Sequence, residues 1–325
     1  MSATRLRPLA EPVISGVLLI LAVTWVGTDG YRQDLAVLTV TYGLIGLGLY
    51  CHFIMGDSLS IAYNAYAAIG GYALGLVATR TGWPLLVSLP LGIVAAVVIS
   101  MLLGMATRRL NGFYLAAVTL LFGEAFQAWL IDADGVTGGA EGVILTRSIS
   151  VFGAELGRDH VVVIALVLMW LVALLLSRLR RSPFGVALRA KGQAAVAVEA
   201  AGVPVTALTL ISLSIGAAIG SLAGAVFTSA NLSILPESIP LSVAFLAVFI
   251  PFLGGRSSPW GVVIGALLVT QLTFNLNFFQ GSGTLLFAVA VVAVLIFAPE
   301  GLIGLARDLT GRLVGAVNRG GRDER

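Results

Sequence analysis

The chain has 325 residues, 58% of them hydrophobic and only 11% charged, with a formal net charge of +3. Soluble globular domains carry roughly 25% charged residues, so a chain this apolar cannot cover itself with polar surface in water, and lipid is the solvent its composition fits. Lys191 is the single lysine, and the arginines lie between apolar runs, which excludes a nucleic-acid-binding patch; the single cysteine, Cys51, excludes an internal disulfide and a cysteine-based metal site.

A membrane helix needs about 20 apolar residues. Taken in chain order, the runs that approach this lie at 13–28, 35–55, 59–79, 84–107, 113–131, 161–177, 206–229, 241–253, 260–279 and 285–298. The first follows Arg5 and Arg7 and reads as a signal anchor, because no small-residue cleavage site leads into a polar domain. The eighth and tenth runs are short and read as tilted little, extended into loops, or re-entrant. The expected fold is therefore an all-α polytopic membrane protein in one domain, 1–325, with about ten (eight to ten) transmembrane helices.

Basic residues set the orientation. With ten spans, 15 of the 19 basic residues fall in alternate segments that include 1–12, 178–205 and 299–325. Both termini are expected to be cytoplasmic, with tails at 1–12 and 305–325. Residues 132–160 form a long acidic outer loop, and 178–205, with Arg178, Arg180, Arg181, Arg189 and Lys191, form the main inner loop.

Small residues recur every four positions at Gly216, Gly220 and Gly224, and at Gly71 and Gly75. In lipid such stripes let helix backbones approach closely, so they read as packing rather than chemistry. The chain has no G-x-x-x-x-G-K-[ST] loop, its two histidines, His52 and His160, lack metal-ligand spacing, and no serine elbow is evident. No cofactor is expected, and the energy for any transport must come from another chain. Glu124 is the clearest ionisable group within a run; a carboxylate at mid-bilayer costs on the order of 3 kcal/mol. It reads either as a pathway or gating residue facing the bundle, or as a structural group that hydrogen-bonds a neighbouring helix or sits nearer the surface. Tyr63, Asn64 and Tyr66 make the third run the most polar, and they either line a path for a small zwitterion or anchor an interface.

Several segments in order resemble the permease subunits of branched-chain amino acid ABC importers of the LivM type, over roughly residues 36–304. They are Gly56-Asp57-Ser58-Leu59-Ser60 with Ala65–Tyr72, Leu110–Ala116 with Val118-Thr119-Leu120, Thr137-Gly138-Gly139-Ala140-Glu141-Gly142, and Ser182-Pro183-Phe184-Gly185 with Leu188-Arg189-Ala190. Glu199-Ala200-Ala201-Gly202-Val203, Leu253-Gly254-Gly255 with Pro259-Trp260-Gly261, and Pro299-Glu300-Gly301-Leu302 complete the set. Two departures stand out: Gly192-Gln193-Ala194-Ala195 carries less charge than the family's inner loop often does, and Pro251 interrupts a stretch that usually lacks proline.

The resemblance implies an inner-membrane transport subunit with no enzymatic site of its own. It implies a second, similar permease, two cytoplasmic ABC ATPases and an extracytoplasmic solute-binding protein as partners. Arg189, Lys191, Glu199, Ala200, Ala201 and Gly202 become the loop that couples to the ATPases, independently read as a short surface helix closed by Gly202 and stopped by Pro204. Tyr63, Asn64, Tyr66, Thr119 and Glu124 become candidates for the translocation path, and Thr137, Gly138 and Gly139 for the surface that meets the binding protein. Urea or a short amide is the nearest rival substrate; a stand-alone secondary transporter or a membrane scaffold is the rival class.

Overall fold

The computed structural model describes residues 7–81, 85–110, 112–145, 150–151, 154–155, 157–276 and 301. The expected tenth run, 285–298, and the expected C-terminal tail lie outside them. The helices are α1 (Arg7–Val26), α2 (Gly30–Leu49), which continues as a π-turn over Tyr50–Ile54, α3 (Tyr63–Arg80), α4 (Leu85–Ala106) and α5 (Phe113–Asp132). The short α6 (Asp134–Thr137) precedes α7 (Arg158–Arg181), α8 (Pro183–Ala200), α9 (Val205–Asn231), α10 (Leu241–Gly254) and α11 (Pro259–Leu276). Two small antiparallel ladders pair β1 (Val143–Ile144) with β4 (Ser233–Ile234) and β2 (Ser150–Val151) with β3 (Ala154–Glu155).

Five stretches are long and apolar enough to cross a membrane: Gly30–Ile54, Val87–Ala106, Phe113–Asp132, Arg158–Arg181 and Val205–Asn231. The α10–α11 pair, bent by 119° at its break, makes up to six if the pair is one span. The eighth and ninth runs thus form a sharply bent helical pair. The fold is all-α in its body, and the described residues support five to six spans by length and composition.

α9 is the hub. It packs along α3, α4 and α2, while α10 and α11 pack on each other and on α2, and α7 lies against α1 and α2. The stripe Gly216-Gly220-Gly224 faces α3. A Cβ on Gly224 would lie 1.7 Å from the Ala67 carbonyl oxygen, and one on Gly70 would lie 1.9 Å from that of Ser221. The two backbones touch, which only glycine permits and which maximises dispersion contact where lipid supplies no hydrophobic drive. The α10–α11 corner uses the same device, with Gly254 against the Gly261 carbonyl.

The ends are tied by polar contacts. At one, the Glu11 carboxylate accepts from Ser177, Arg181 and the Trp260 indole, joining α1, α7 and α11. At the other, Arg158 pairs with Asp34, the Gln33 amide donates to Asp159 at 2.5 Å, and Arg80 donates to the carbonyls of Gly135 and Val136. Segments that the arginine bias assigns to one side thus meet at one end of the bundle.

Gly224→Ala should destabilise the protein by about 3 kcal/mol, since the helices must separate. Gly16→Ala in α1, with nothing within 4 Å of its added Cβ, should be neutral or stabilising by about 0.5–1 kcal/mol. Unfolding midpoints in mixed micelles read both, and equal shifts would remove the role given to the α3–α9 contact.

Candidate functional site

The site begins where the second span breaks. The π-turn Tyr50–Ile54 leads into a non-helical stretch before α3, and irregular backbone within a bundle must find internal partners. It does so here. The amides of Asp57 and Ser58 donate to the Phe53 and His52 carbonyls at 2.9 and 3.0 Å. The Ile61 amide donates to Thr119 Oγ1 at 2.9 Å, and Thr119 in turn donates to Leu115 and Ala116 of its own helix. Asp57 takes a left-handed conformation at φ 49°, which asparagine and aspartate tolerate best among side-chain-bearing residues.

His52 is fully buried and uses both ring nitrogens. Nδ1 lies 2.6 Å from the Ser58 carbonyl and so carries the hydrogen; in the neutral imidazole Nε2, 2.8 Å from Tyr63 Oη, accepts from that phenol. Tyr63 stacks on His52 and meets Tyr66 edge-on. The slot for these rings is cut by glycines: added Cβ atoms on Gly48 and Gly216 would lie 2.7 and 2.6 Å from Tyr63 Oη, and one on Gly220 would press on both tyrosines.

On the far side of the break stands α8. Ser182 caps it by accepting from the Gly185 amide at 3.3 Å, and Pro183 occupies its first turn. Lys191 reaches from α8 to the Gly56 carbonyl at 2.8 Å and to Ser58 Oγ at 2.7 Å. A continuous chain of contacts therefore runs from Lys191 through Ser58 and His52 to Tyr63. Burial lowers the Lys191 pKa below 10.5, and the Asp57 carboxylate partly offsets this. Beyond Lys191 the helix kinks at Ala194 (φ −152°, ψ 71°), and its tip turns outward, with Val196 82% exposed. Glu199, Ala200, Ala201 and Gly202 are all exposed. The tip closes with the Val203 amide on the Val198 carbonyl and Gly202 at φ 82°.

The path candidates divide. Tyr63, Asn64, Tyr66 and Thr119 are all buried, but Tyr63 and Tyr66 face the glycines of α9, whereas Asn64 faces Gly123 of α5, the helix that carries Thr119. Both amide atoms of Asn64 are without a hydrogen-bond partner among the described residues. They face Gly123, whose added Cβ would lie 2.2 Å from Asn64 Oδ1. Beside them is a closed crevice, with no room for a water molecule, lined by Asn64, Phe126, Gln127, Leu130 and Ile239 among others. Glu124 corrects the expectation that it faces the bundle of this chain. α5 packs chiefly on α3, and Glu124 stands on the opposite, exposed face with Leu121 and Ala128.

In the loop after α5, Thr137 is buried and donates to the Leu130 and Ala133 carbonyls at 2.6 and 2.9 Å, while accepting from the Gly139 amide. Gly138, Gly139 and Gly142 have positive φ, and a Cβ on Gly142 would strike the Ile234 carbonyl at 2.2 Å. The glycine motif shapes a corner stapled to β4; Asp134, Val136, Ala140, Glu141 and Ile144 form its exposed surface. Sequence reasoning passed over His52. Its only signal was a histidine in an apolar run 11 residues before a tyrosine.

Comparison with known proteins agrees with this architecture. The family model for the branched-chain amino acid transport system permease component matches residues 31–299. The chain belongs to this family. Among its relatives are the high-affinity branched-chain amino acid transport system permease proteins LivM of Escherichia coli and Salmonella typhimurium, 30% and 29% identical over 315 residues, 89% of this chain and 74% of each relative. A probable LivM of Methanocaldococcus jannaschii is 25% identical over 288 residues, covering 82% of this chain and 83% of the relative. No solved structure matches. Family members are transport components, and membership together with the apolar helices makes this a multi-pass membrane protein.

As the sole lysine, Lys191 can be followed alone by ¹⁵N-lysine labelling. Its ε-amine should titrate below 10.5, and Asp57→Asn should lower the midpoint further by removing the charge that opposes burial. Folding then carries the charge-burial penalty in full below the folded-state pKa and sheds it as pH rises through that value toward 10.5. A midpoint at or above 10.5 would contradict the buried placement.

Proposed function

We propose that the chain is the translocation subunit of an ABC importer that carries branched-chain, hydrophobic amino acids across the bacterial inner membrane. In this reading a second permease, two cytoplasmic ATPases and an extracytoplasmic binding protein complete the machine. The observation that carries it is α8: its tip is exposed and mostly small, and its body is bonded through Lys191 to the chain of groups that ends at Tyr63. A surface helix with an internal linkage of this kind suits transmission of movement from a soluble partner. Ten spans with both termini inside belong to the same proposal.

The subunit makes and breaks no bond in its solute. ATPase closure would displace the tip around Glu199–Gly202, and Lys191 would carry that movement to the break at Gly56–Ser58. The Asn64 amide, without a hydrogen-bond partner among the described residues, would offer hydrogen bonds to an α-carboxylate and an α-ammonium once the helices part and the closed crevice opens. Phe126, Leu130 and Ile239 give the same crevice an apolar wall. The exposed face of α5 fits closure by the second permease, because a mid-helix carboxylate such as Glu124 would otherwise face hydrocarbon at a cost of about 3 kcal/mol. The outer corner built on Thr137, Gly138 and Gly139 would present the binding-protein contact.

Reconstitution in proteoliposomes with the partner ATPases and permease tests this. Leucine uptake should require ATP, and uptake by the chain without any ATPase would sink the proposal in favour of a secondary transporter. Glu199→Lys should leave basal ATP hydrolysis while lowering uptake at least about tenfold, the effect of one lost contact of about 1.4 kcal/mol at the docking surface. Asn64→Leu should raise the KM for leucine with assembly intact; uptake of urea in preference to leucine by the wild type would reassign the solute.

A further inference from the structure

A second cavity lies beside α8, away from the crevice at Asn64. It encloses about 440 Å³ and is lined by Arg180 from the last turn of α7, Arg189 from α8 and Arg256 from the α10–α11 turn. Tyr50 and Phe53 of the π-turn supply aromatic wall, and Asp57 is the one carboxylate of the lining among the described residues. Three arginines from three separate elements thus line one space with a single acidic neighbour among the described residues.

None of the three has an ion-pair partner among the described residues, although the adjacent Arg181 does, in Glu11. Arg180 and Arg189 are half-buried, so their mutual repulsion is only partly screened by water. Two of the groups are nonetheless held in place. Arg189 donates from Nε to the Gly185 carbonyl and from a terminal nitrogen to the Arg180 carbonyl, both at 3.3 Å, and Arg256 lies over the Phe252 ring at 4.9 Å. Carbonyl and ring contacts orient a guanidinium without neutralising it, leaving N–H groups for a further acceptor. Gathering and bracing like charges raises the free energy of the empty site, and an anion with several oxygens relieves it.

We propose that this cavity is a binding site for a phosphate group, bridging the α7–α8 turn to the α10–α11 turn. The volume accommodates a phosphate with a short organic stem against Tyr50 and Phe53. The site sits at the end of the bundle where the basic residues gather, the level at which anionic headgroups meet a membrane protein. The same chemistry is offered by the phosphodiester of an anionic lipid and by free phosphate. The proposal does not depend on the transport reading, because it is tested by binding alone.

The test uses the full chain purified in a non-ionic detergent, with native mass spectrometry of retained phosphatidylglycerol against phosphatidylcholine and competition by inorganic phosphate. Phosphatidylglycerol should be retained preferentially, and Arg180→Gln, Arg189→Gln and Arg256→Gln should each weaken retention about tenfold, as for loss of one charge-assisted contact. Arg178→Gln, exposed on the same helix and outside the cavity, should leave it unchanged. Arg189→Lys, which keeps the charge but loses the fork, should fall between and guards against misfolding of the glutamine variants. Displacement by inorganic phosphate assigns the site to the free anion; retention undisturbed by phosphate assigns it to the lipid headgroup. Equal retention of both lipids with no phosphate binding, or retention unaffected by the three substitutions, would overturn the proposal.

Discussion

The contact between the backbones of α3 and α9 is the constraint on which the rest of the structure depends. Lipid offers apolar helices no reason to associate, so attraction must come from close packing and from polar groups satisfied between helices. Gly70, Gly216, Gly220 and Gly224 remove the side chains that would hold the two helices apart. The space gained is spent on large rings: Tyr63, Tyr66 and His52 fill the slot beside the glycine stripe.

That slot fixes the break before α3. A chain that leaves helical geometry inside a bundle exposes N–H and C=O groups, each costly if unpaired. Here the partners come from distant elements: His52 from the π-turn, Thr119 from α5 and Lys191 from α8. The same bonds that satisfy the break also tie the interior to the surface helix. One set of hydrogen bonds thus satisfies the break and links α2, α5 and α8 through it.

Much of this was legible in the sequence, and the reason is that hydropathy is local. Nine of the ten expected runs coincide with helices, and the short runs at 241–253 and 260–279 form a bent pair. The stop at Gly202 was equally readable, because capping needs only neighbours in sequence. The site was legible only in part. Tyr63, Asn64, Tyr66 and Thr119 are all buried but split between the α9 and α5 sides of α3, and Glu124, next to the buried Gly123, is exposed on the other face of α5. A helix turns 100° per residue, and only packing decides which face is inside. Thr137 and Gly139 likewise are buried and shape the corner after α5 from within.

The sequence by itself determined the solvent, the helical class, the approximate positions of the helices and the family, since each follows from composition or from motifs read along the chain. Only the tertiary structure decided that Lys191 bonds to Gly56 and Ser58, that His52 joins Ser58 to Tyr63, and that Arg180, Arg189 and Arg256 share one cavity. These groups lie on separate elements, and their meeting depends on helix rotation, crossing and the glycine-set spacing between backbones. The opening picture of an apolar chain dissolved in lipid thus stands, with its few polar side chains now seen as the joints that hold and connect its helices.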